Sequence, residues 1–299
     1  MTAAEATSFD ARIAPFGALE PDLQLANVAF GQPGVDECLA STRLGWVHLN
    51  SAGWDRFDRP DVRLQFATRN RLLSNSAGVY SEPCAQHLLA FMLADARQLP
   101  RSLSHQFGDH GWPQLATRAA CRLLGPEATV ALVGFGSIAA RIAQLLVPFG
   151  ARVVGARRNP SGQESVQVLP MAELPRLLAE ADHVVDILPG GPATKHLFDA
   201  ALFSRMKRGA TFYNIGRGST VDQSALLDAL ATGQLRAAYL DVTEPEPLPP
   251  AHPLWQASGC TITPHAAGGH AGEAERLVSH FVQNLARFAE RQPLVDRVL

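Results

Sequence analysis

From residue 129 onward, short apolar runs alternate with segments whose apolar residues recur at helical spacing. The runs are TVALVG (129 to 134), RVVGA (152 to 156), HVVDIL (183 to 188), TFYNIG (211 to 216), AAYLDV (237 to 242) and CTIT (260 to 263). Two of the amphipathic segments between them stand out: 137 to 149, closed by Gly150 in the position of a C-cap, and 222 to 231, closed by Gly233. Strands apolar on both faces and separated by helices predict a doubly wound parallel α/β sheet, whose ligands bind at the carboxyl ends of the strands.

The first hundred residues are less regular. They hold candidate strands NVAF (27 to 30) and GWVHLN (45 to 50) and one long helix pattern from 83 to about 99. A final amphipathic helix spans 271 to 289 and is expected to pack back on this first unit. At roughly 150 residues per domain, 299 residues suggest two domains, each able to bury its own core.

Charge narrows the partners. Twenty-six basic and twenty-eight acidic residues leave a formal charge of −2, without a dense Lys/Arg run, so neither nucleic acid nor an anionic membrane is indicated. No apolar stretch reaches the roughly 18 residues of a membrane helix, and MTAAEATSFDARIAP lacks the basic start and apolar core of a leader. The expected location is the cytoplasm. Cys38, Cys84, Cys121 and Cys260 are scattered without C-x-x-C spacing, which fits reduced core thiols and predicts no metal site.

The stretch ALVGFGSIAARIAQLL (131 to 146) passes from strand to helix through two glycines. Gly134 permits a tight turn, Gly136 lets backbone approach a pyrophosphate, and Ala139 is small enough for close helix–strand packing. The N–H groups from Phe135 through Ser137 to Ile138 would face the anion. On its own G-x-G-x-x-A is a weak motif that structural turns share. At a strand end and a helix start it predicts dinucleotide binding. NAD sites place an acid about 20 residues further on to hold the ribose 2′-hydroxyl, yet here the second strand ends GARRNP. Arg157 and Arg158 suit a 2′-phosphate, which predicts NADP(H) as the preferred cofactor with NAD(H) still usable; a solvated basic turn would carry the same pair.

Arg217, Glu246 and His265 each fall at or just beyond a strand end on that side of the sheet. Hydride transfer to a 2-oxo acid needs a cation for the carboxylate, an acid to protonate the forming alkoxide, and a group that orients the acid; Arg, His and Glu suit those tasks. Singly, each has a plainer reading: a G-R-G turn, a solvated loop between prolines, and a helix-cap neighbour after Pro264. Three such ends on one dinucleotide sheet favour the chemical one.

These residues lie in NIGRGSTVDQSALLDAL (214 to 230), LDVTEPEPLPPAHPLW (240 to 255) and TPHAAGG (263 to 269), blocks that closely resemble the D-isomer-specific 2-hydroxyacid dehydrogenases. VGFGSIA in the cofactor loop and NSAGVYSEPCAQHLLAFMLADAR (75 to 97) resemble the family as well, so the similarity runs from about residue 45 to the end. The resemblance implies a Rossmann cofactor domain, 99 to 269, and a smaller flavodoxin-like substrate domain, 1 to 98, completed by 270 to 299, with a cleft between them. It implies a catalytic trio of Arg217, Glu246 and His265, with backbone N–H groups from Ser51, Ala52 and Gly53, and from Gly78, Val79 and Tyr80, meeting the substrate carboxylate. Asp241 would lie near the nicotinamide carboxamide, and Leu188, Pro189, Thr194, Ile215, Gly216, His265 and Gly268 elsewhere along the cofactor.

Members of this family are usually homodimers joined through their cofactor domains. The Arg-Arg turn is similar to that of the NADPH-using glyoxylate and hydroxypyruvate reductases. The expected reaction is reduction of a small 2-oxo acid to the D-2-hydroxy acid, Arg217 clamping the substrate, His265 giving the proton and Glu246 orienting the imidazole. Departures are Gln86 where many relatives carry glutamate before the histidine of the hinge helix, and a shorter N-terminus. Glu246 speaks against a formate dehydrogenase, which has glutamine there. Open alternatives are an NAD-dependent dehydrogenase for phosphoglycerate or D-lactate, and a nucleotide-sensing protein without turnover. Trp46, Trp54 and Trp112 are expected mainly in cores, with Trp112 the first choice to reach a partner.

Overall fold

The computed structural model describes residues 21–299; the N-terminal segment read for a leader, and the start of the expected first domain, lie outside the described residues. In chain order come β1 (Val28–Gly31), α1 (Val35–Ala40), β2 (Trp46–Leu49), α2 (Pro60–Thr68), β3 (Leu72–Ser74) and the long α3 (Ala77–Ala96). Then follow α4 (Leu99–Phe107), α5 (Gln114–Ala120), β4 (Thr129–Val133), α6 (Ser137–Leu146), β5 (Arg152–Arg157), β6 (Gln167–Pro170), α7 (Leu174–Glu180) and β7 (His183–Asp186). The chain continues through α8 (Ala200–Arg205), β8 (Ala210–Asn214), α9 (Gln223–Ala231), β9 (Leu235–Leu240), β10 (Cys260–Ile262) and α10 (Glu273–Ala289).

Two compact units result, one running to Val79 and resuming at Ala271, the other from Tyr80 to His270. The division falls inside α3, earlier than the expected 98/99 boundary. The reason is packing. Cys84, Ala85, Leu88, Phe91 and Met92 are buried in one cluster with Leu132, Tyr213 and Tyr239 of the larger unit's sheet. Near the end of the same helix, buried Asp95 accepts from Arg236 of β9 through both oxygens, at 2.7 and 2.5 Å.

The larger unit is built on seven strands, all parallel, in the order β10-β9-β8-β7-β4-β5-β6. The order reverses between β4 and β7, the place where an open α/β sheet leaves a crevice at its carboxyl edge. The two faces are covered by separate apolar clusters, one containing Leu177, Phe203 and Leu226 and the other Ile142, Leu146 and the α3 residues. All residues of β7 and β8 are buried, as expected of strands covered on both sides.

The smaller unit has a parallel sheet β1-β2-β3. Its core holds Phe57, Phe66 and Leu73, and Trp46 of β2 stacks on Phe281 of α10 at 5.5 Å between ring centres. The last residues form an antiparallel bridge at Arg297 to Ser74. Trp46 is fully buried and Trp54 packs, partly buried, against the same core under the Arg63 guanidinium at 4.9 Å, whereas Trp112 is 89% exposed and does not take the expected core place. No helix of the described residues is long and apolar enough to cross a membrane.

Candidate active site

The trio sits on three successive connections at the carboxyl edge of the large sheet. Arg217 follows β8 by three residues, and its carbonyl accepts from Asn214 Nδ2 at 2.9 Å and Thr220 Oγ1 at 2.6 Å. Its guanidinium Nη1 donates to Gly216 O at 2.7 Å. The next residue has to be glycine: a Cβ on Gly218 would stand 2.0 Å from both the carbonyl carbon and oxygen of Thr243. The Arg217 loop therefore lies directly against the connection that carries Glu246. Thr243 N–H donates to Glu246 Oε1 at 3.0 Å, and His265 Nδ1 meets Glu246 Oε2 at 2.8 Å.

His265 itself takes a left-handed backbone, φ 51°, a conformation uncommon outside glycine. Buried Asp241 stabilises it. Its two oxygens accept from Ala266 N–H at 2.8 Å, Ala267 N–H at 2.9 Å and Thr263 Oγ1 at 2.6 Å, while its own carbonyl accepts the His265 N–H at 2.8 Å. Both Asp241 oxygens are thus committed to the turn that aims the imidazole. His87 of α3 approaches the same group, its Nε2 3.2 Å from Thr263 Oγ1, and burial lowers its pKa. Gln86 bonds Glu82 at 2.6 Å on the exposed side, away from the trio.

Beneath the Arg217 loop lies a carboxyl group that sequence reasoning missed. Asp186, the last residue of β7, is fully buried; it accepts the Leu188 N–H at 3.0 Å and meets Thr220 Oγ1 through its other oxygen. Burial pushes its pKa up to about 7, against the two hydrogen bonds that pull the other way. The geometry agrees with a protonated acid: Thr220 has one hydroxyl hydrogen, and its oxygen lies within bonding distance of both the Arg217 carbonyl and Asp186. With that hydrogen on the carbonyl, the Asp186 contact needs a proton from the acid.

At the switch point, Gly134 has φ 92°, and a Cβ there would meet Ile187 O at 2.7 Å, so the turn after β4 passes tightly over the end of β7. Phe135 is buried against Gly155, and Ala139, in the first turn of α6, is fully buried. Gly136 is different. A Cβ on it would meet nothing within 4 Å, it is the N-cap of α6 without a side-chain cap bond, and Ser137 beside it is exposed. Exposed backbone at an uncapped helix start fits the pyrophosphate of a dinucleotide, so the residues present match the group that the motif implies. Leu188, Ile215 and Gly216 line the same edge as buried residues, and Pro189 is exposed. Thr194 Oγ1 is engaged in its own loop, donating toward Pro189 O at 2.7 Å and Gly191 O at 3.2 Å. Gly268 lies under the Tyr80 ring, 2.7 Å from where its Cβ would be. Arg157 ends β5 and is half-buried, and Arg158 follows it and is exposed.

In the smaller unit, Ser51, Ala52 and Gly53 form the turn after β2. Their carbonyls accept from Ser76 N–H, Asn75 Nδ2 and Ser51 Oγ, while no bond from their N–H groups is seen among the described residues. Gly78 and Val79 differ: the Gly78 N–H donates to Asp296 Oδ2 at 2.7 Å, and that of Val79 to Ser76 O at 3.0 Å.

Comparison with known proteins decides the family. A model described as "D-isomer specific 2-hydroxyacid dehydrogenase, NAD binding domain" matches residues 89–267, more than half of the chain. The chain belongs to this family. It is an oxidoreductase with a nicotinamide-binding domain. The protein is 37% identical over 231 residues to the glyoxylate reductase/hydroxypyruvate reductase of Mus musculus, an alignment covering 76% of this chain and 68% of the relative. Among solved structures, a D-isomer specific 2-hydroxyacid dehydrogenase from Xanthobacter autotrophicus Py2 in complex with NADPH and MES superposes with a TM-score of 0.83 at 29% identity, covering 99% of this chain and 91% of that one. An NADPH-dependent glyoxylate/hydroxypyruvate reductase from Sinorhizobium meliloti, in complex with NADP and sulfate, gives 0.76 at 25% identity, covering 93% and 88%.

Proposed function

We propose that this dehydrogenase reduces a small 2-oxo acid of the glyoxylate or hydroxypyruvate type to the D-2-hydroxy acid and prefers NADPH. The observation that carries the reading is the 2.8 Å contact between His265 Nδ1 and Glu246, beside a loop that presents Arg217. With Nδ1–H donated to the carboxylate, Nε2 is the nitrogen left to give a proton to an alkoxide oxygen. Glu246, itself fixed by the Thr243 N–H, holds the imidazole in that orientation. Arg217 binds the substrate carboxylate and carbonyl oxygen by charge-assisted hydrogen bonds. A bound nicotinamide supplies the hydride. The cofactor's pyrophosphate is assigned to the backbone from Phe135 to Ile138 and its 2′-phosphate to Arg157 and Arg158. Asp241 is assigned to shaping the His265 turn, since both its oxygens are engaged there.

In the smaller unit, the N–H groups of Ser51, Ala52 and Gly53 are proposed as donors to a carboxylate, ahead of Gly78 and Val79, whose N–H groups are already bonded. The chain is further proposed to form a homodimer in the cytoplasm. Supporting that are Leu99, Leu103, Phe107, Trp112 and Leu115 in or near α4 and α5, all 49% exposed or more, and four free thiols that suit a reducing compartment.

The test is oxidation of NADPH and NADH by purified protein against glyoxylate, hydroxypyruvate, pyruvate and phenylpyruvate, with Arg217→Ala as control. Fast turnover with NADPH and a two-carbon or three-carbon acid, lost in the variant, is expected. Turnover confined to NADH would overturn the cofactor assignment, and cofactor binding without any turnover would favour a sensing protein.

A further inference from the structure

The two arginines at the end of β5 are not equivalent. Arg157 Nη1 lies 3.5 Å from Glu164 Oε1, whereas no ion pair of Arg158 is seen among the described residues. Glu164 is not a loose surface acid. Its side chain is 7% exposed, and Oε1 accepts the Ser161 N–H at 2.8 Å, closing the turn between β5 and β6. Backbone hydrogen bonds in that turn hold its pKa down to about 2, so it carries a full negative charge at any working pH.

We infer that Glu164 is a specificity-determining residue for the cofactor, an internal anion that holds Arg157 and competes with the 2′-phosphate for it. This deepens the NADPH assignment above and rests on it. The net charge facing the adenosine end is then that of one free guanidinium, from Arg158, plus one that is partly neutralised. A dianionic phosphate gains less from such a site than from two free arginines, while a ribose 2′-hydroxyl is scarcely affected. Glu164 therefore narrows the gap between NADP and NAD without abolishing it.

The experiment measures dissociation constants of NADP+, NAD+ and 2′,5′-ADP by calorimetry for the full chain and for Glu164→Gln, Arg157→Ala and the double variant. Glutamine keeps an oxygen for the Ser161 N–H and removes only the charge. The expected result is that Glu164→Gln tightens NADP+ and 2′,5′-ADP by roughly three- to tenfold, the effect of one charge a few ångströms away in a water-like dielectric, and leaves NAD+ within about twofold. In the Arg157→Ala background the same change should alter the ratio by less than about half as much, because the partner is gone. An unchanged NADP+/NAD+ ratio in Glu164→Gln overturns the inference. An equal change in the Arg157→Ala background overturns it as well, by tracing the effect to the turn rather than to the pair. The wild-type ratio reads the NADPH assignment separately, so the two can fail independently.

Discussion

Replacing Asp186 by asparagine should stabilise the protein increasingly as pH rises. In the folded state Asp186 keeps its proton up to about pH 7, whereas in the unfolded chain it releases it near the ordinary value of 3.8. Between those values the folded state binds the extra proton, so this group makes stability fall as pH rises, and above about 7 the penalty is constant. A displacement from 3.8 to about 7 corresponds to about 4 kcal/mol at roughly 1.4 kcal/mol per pKa unit. About half of that, about 2 kcal/mol, develops between roughly pH 5 and 7. Asparagine reproduces the protonated acid: its oxygen accepts the Leu188 N–H and its amide donates to Thr220 Oγ1. One amide hydrogen is left over, at a fixed cost that does not vary with pH. Urea unfolding of both proteins at several pH values gives the difference in stability. The difference should grow in favour of Asp186→Asn by about 3 kcal/mol from pH 5 to 8 and then level off. A difference that stays flat across this range would refute the protonated-acid reading.

Three further outcomes follow from the packing. Asp95→Ala leaves the Arg236 guanidinium, 24% exposed, without its carboxylate and should destabilise the protein by about 3 kcal/mol in chemical unfolding. Gly218→Ala places a methyl on the Thr243 backbone and should lower kcat by separating the Arg217 and Glu246 loops, with a stability loss of about 1–3 kcal/mol; kinetics and thermal unfolding together check it. Replacing Leu103 and Phe107 by lysine should halve the mass seen by light scattering if their exposed face joins two copies, and an unchanged mass would remove that face from the interface.

The large sheet was legible because its strands are buried on both faces and read as unbroken apolar runs; all six runs in the sequence became strands within two residues of the expected ends. What escaped were β3 and β6. Each is three or four residues long, and β6 is an edge strand with no buried residue and a closing proline, so neither has a period to detect. The expected 83-to-99 helix starts six residues earlier, at Ala77, so Pro83 lies inside the helix, past the first turn where proline is usually found, and marked no boundary.

At the candidate site, motif spacing singled out Arg217, Glu246 and His265, but not the groups that hold them. Thr220, Asn214 and Thr243 act through hydrogen bonds of a few residues' reach, which leave no pattern in hydropathy. Asp186 did leave a trace, as a lone acid in the apolar run HVVDIL. Glu164 left none, since the turn that brings it to Arg157 is irregular.

The central claim is that His265 is the proton donor and Glu246 its orienting partner. It is tested most directly by single-turnover oxidation of bound NADPH on mixing with glyoxylate, followed by nicotinamide absorbance, for the wild type and His265→Ala. The account predicts a rate lower by roughly 10²–10⁴-fold in the variant with the NADPH dissociation constant within about twofold of the wild type. A loss of less than about tenfold would take His265 out of that role and contradict the account.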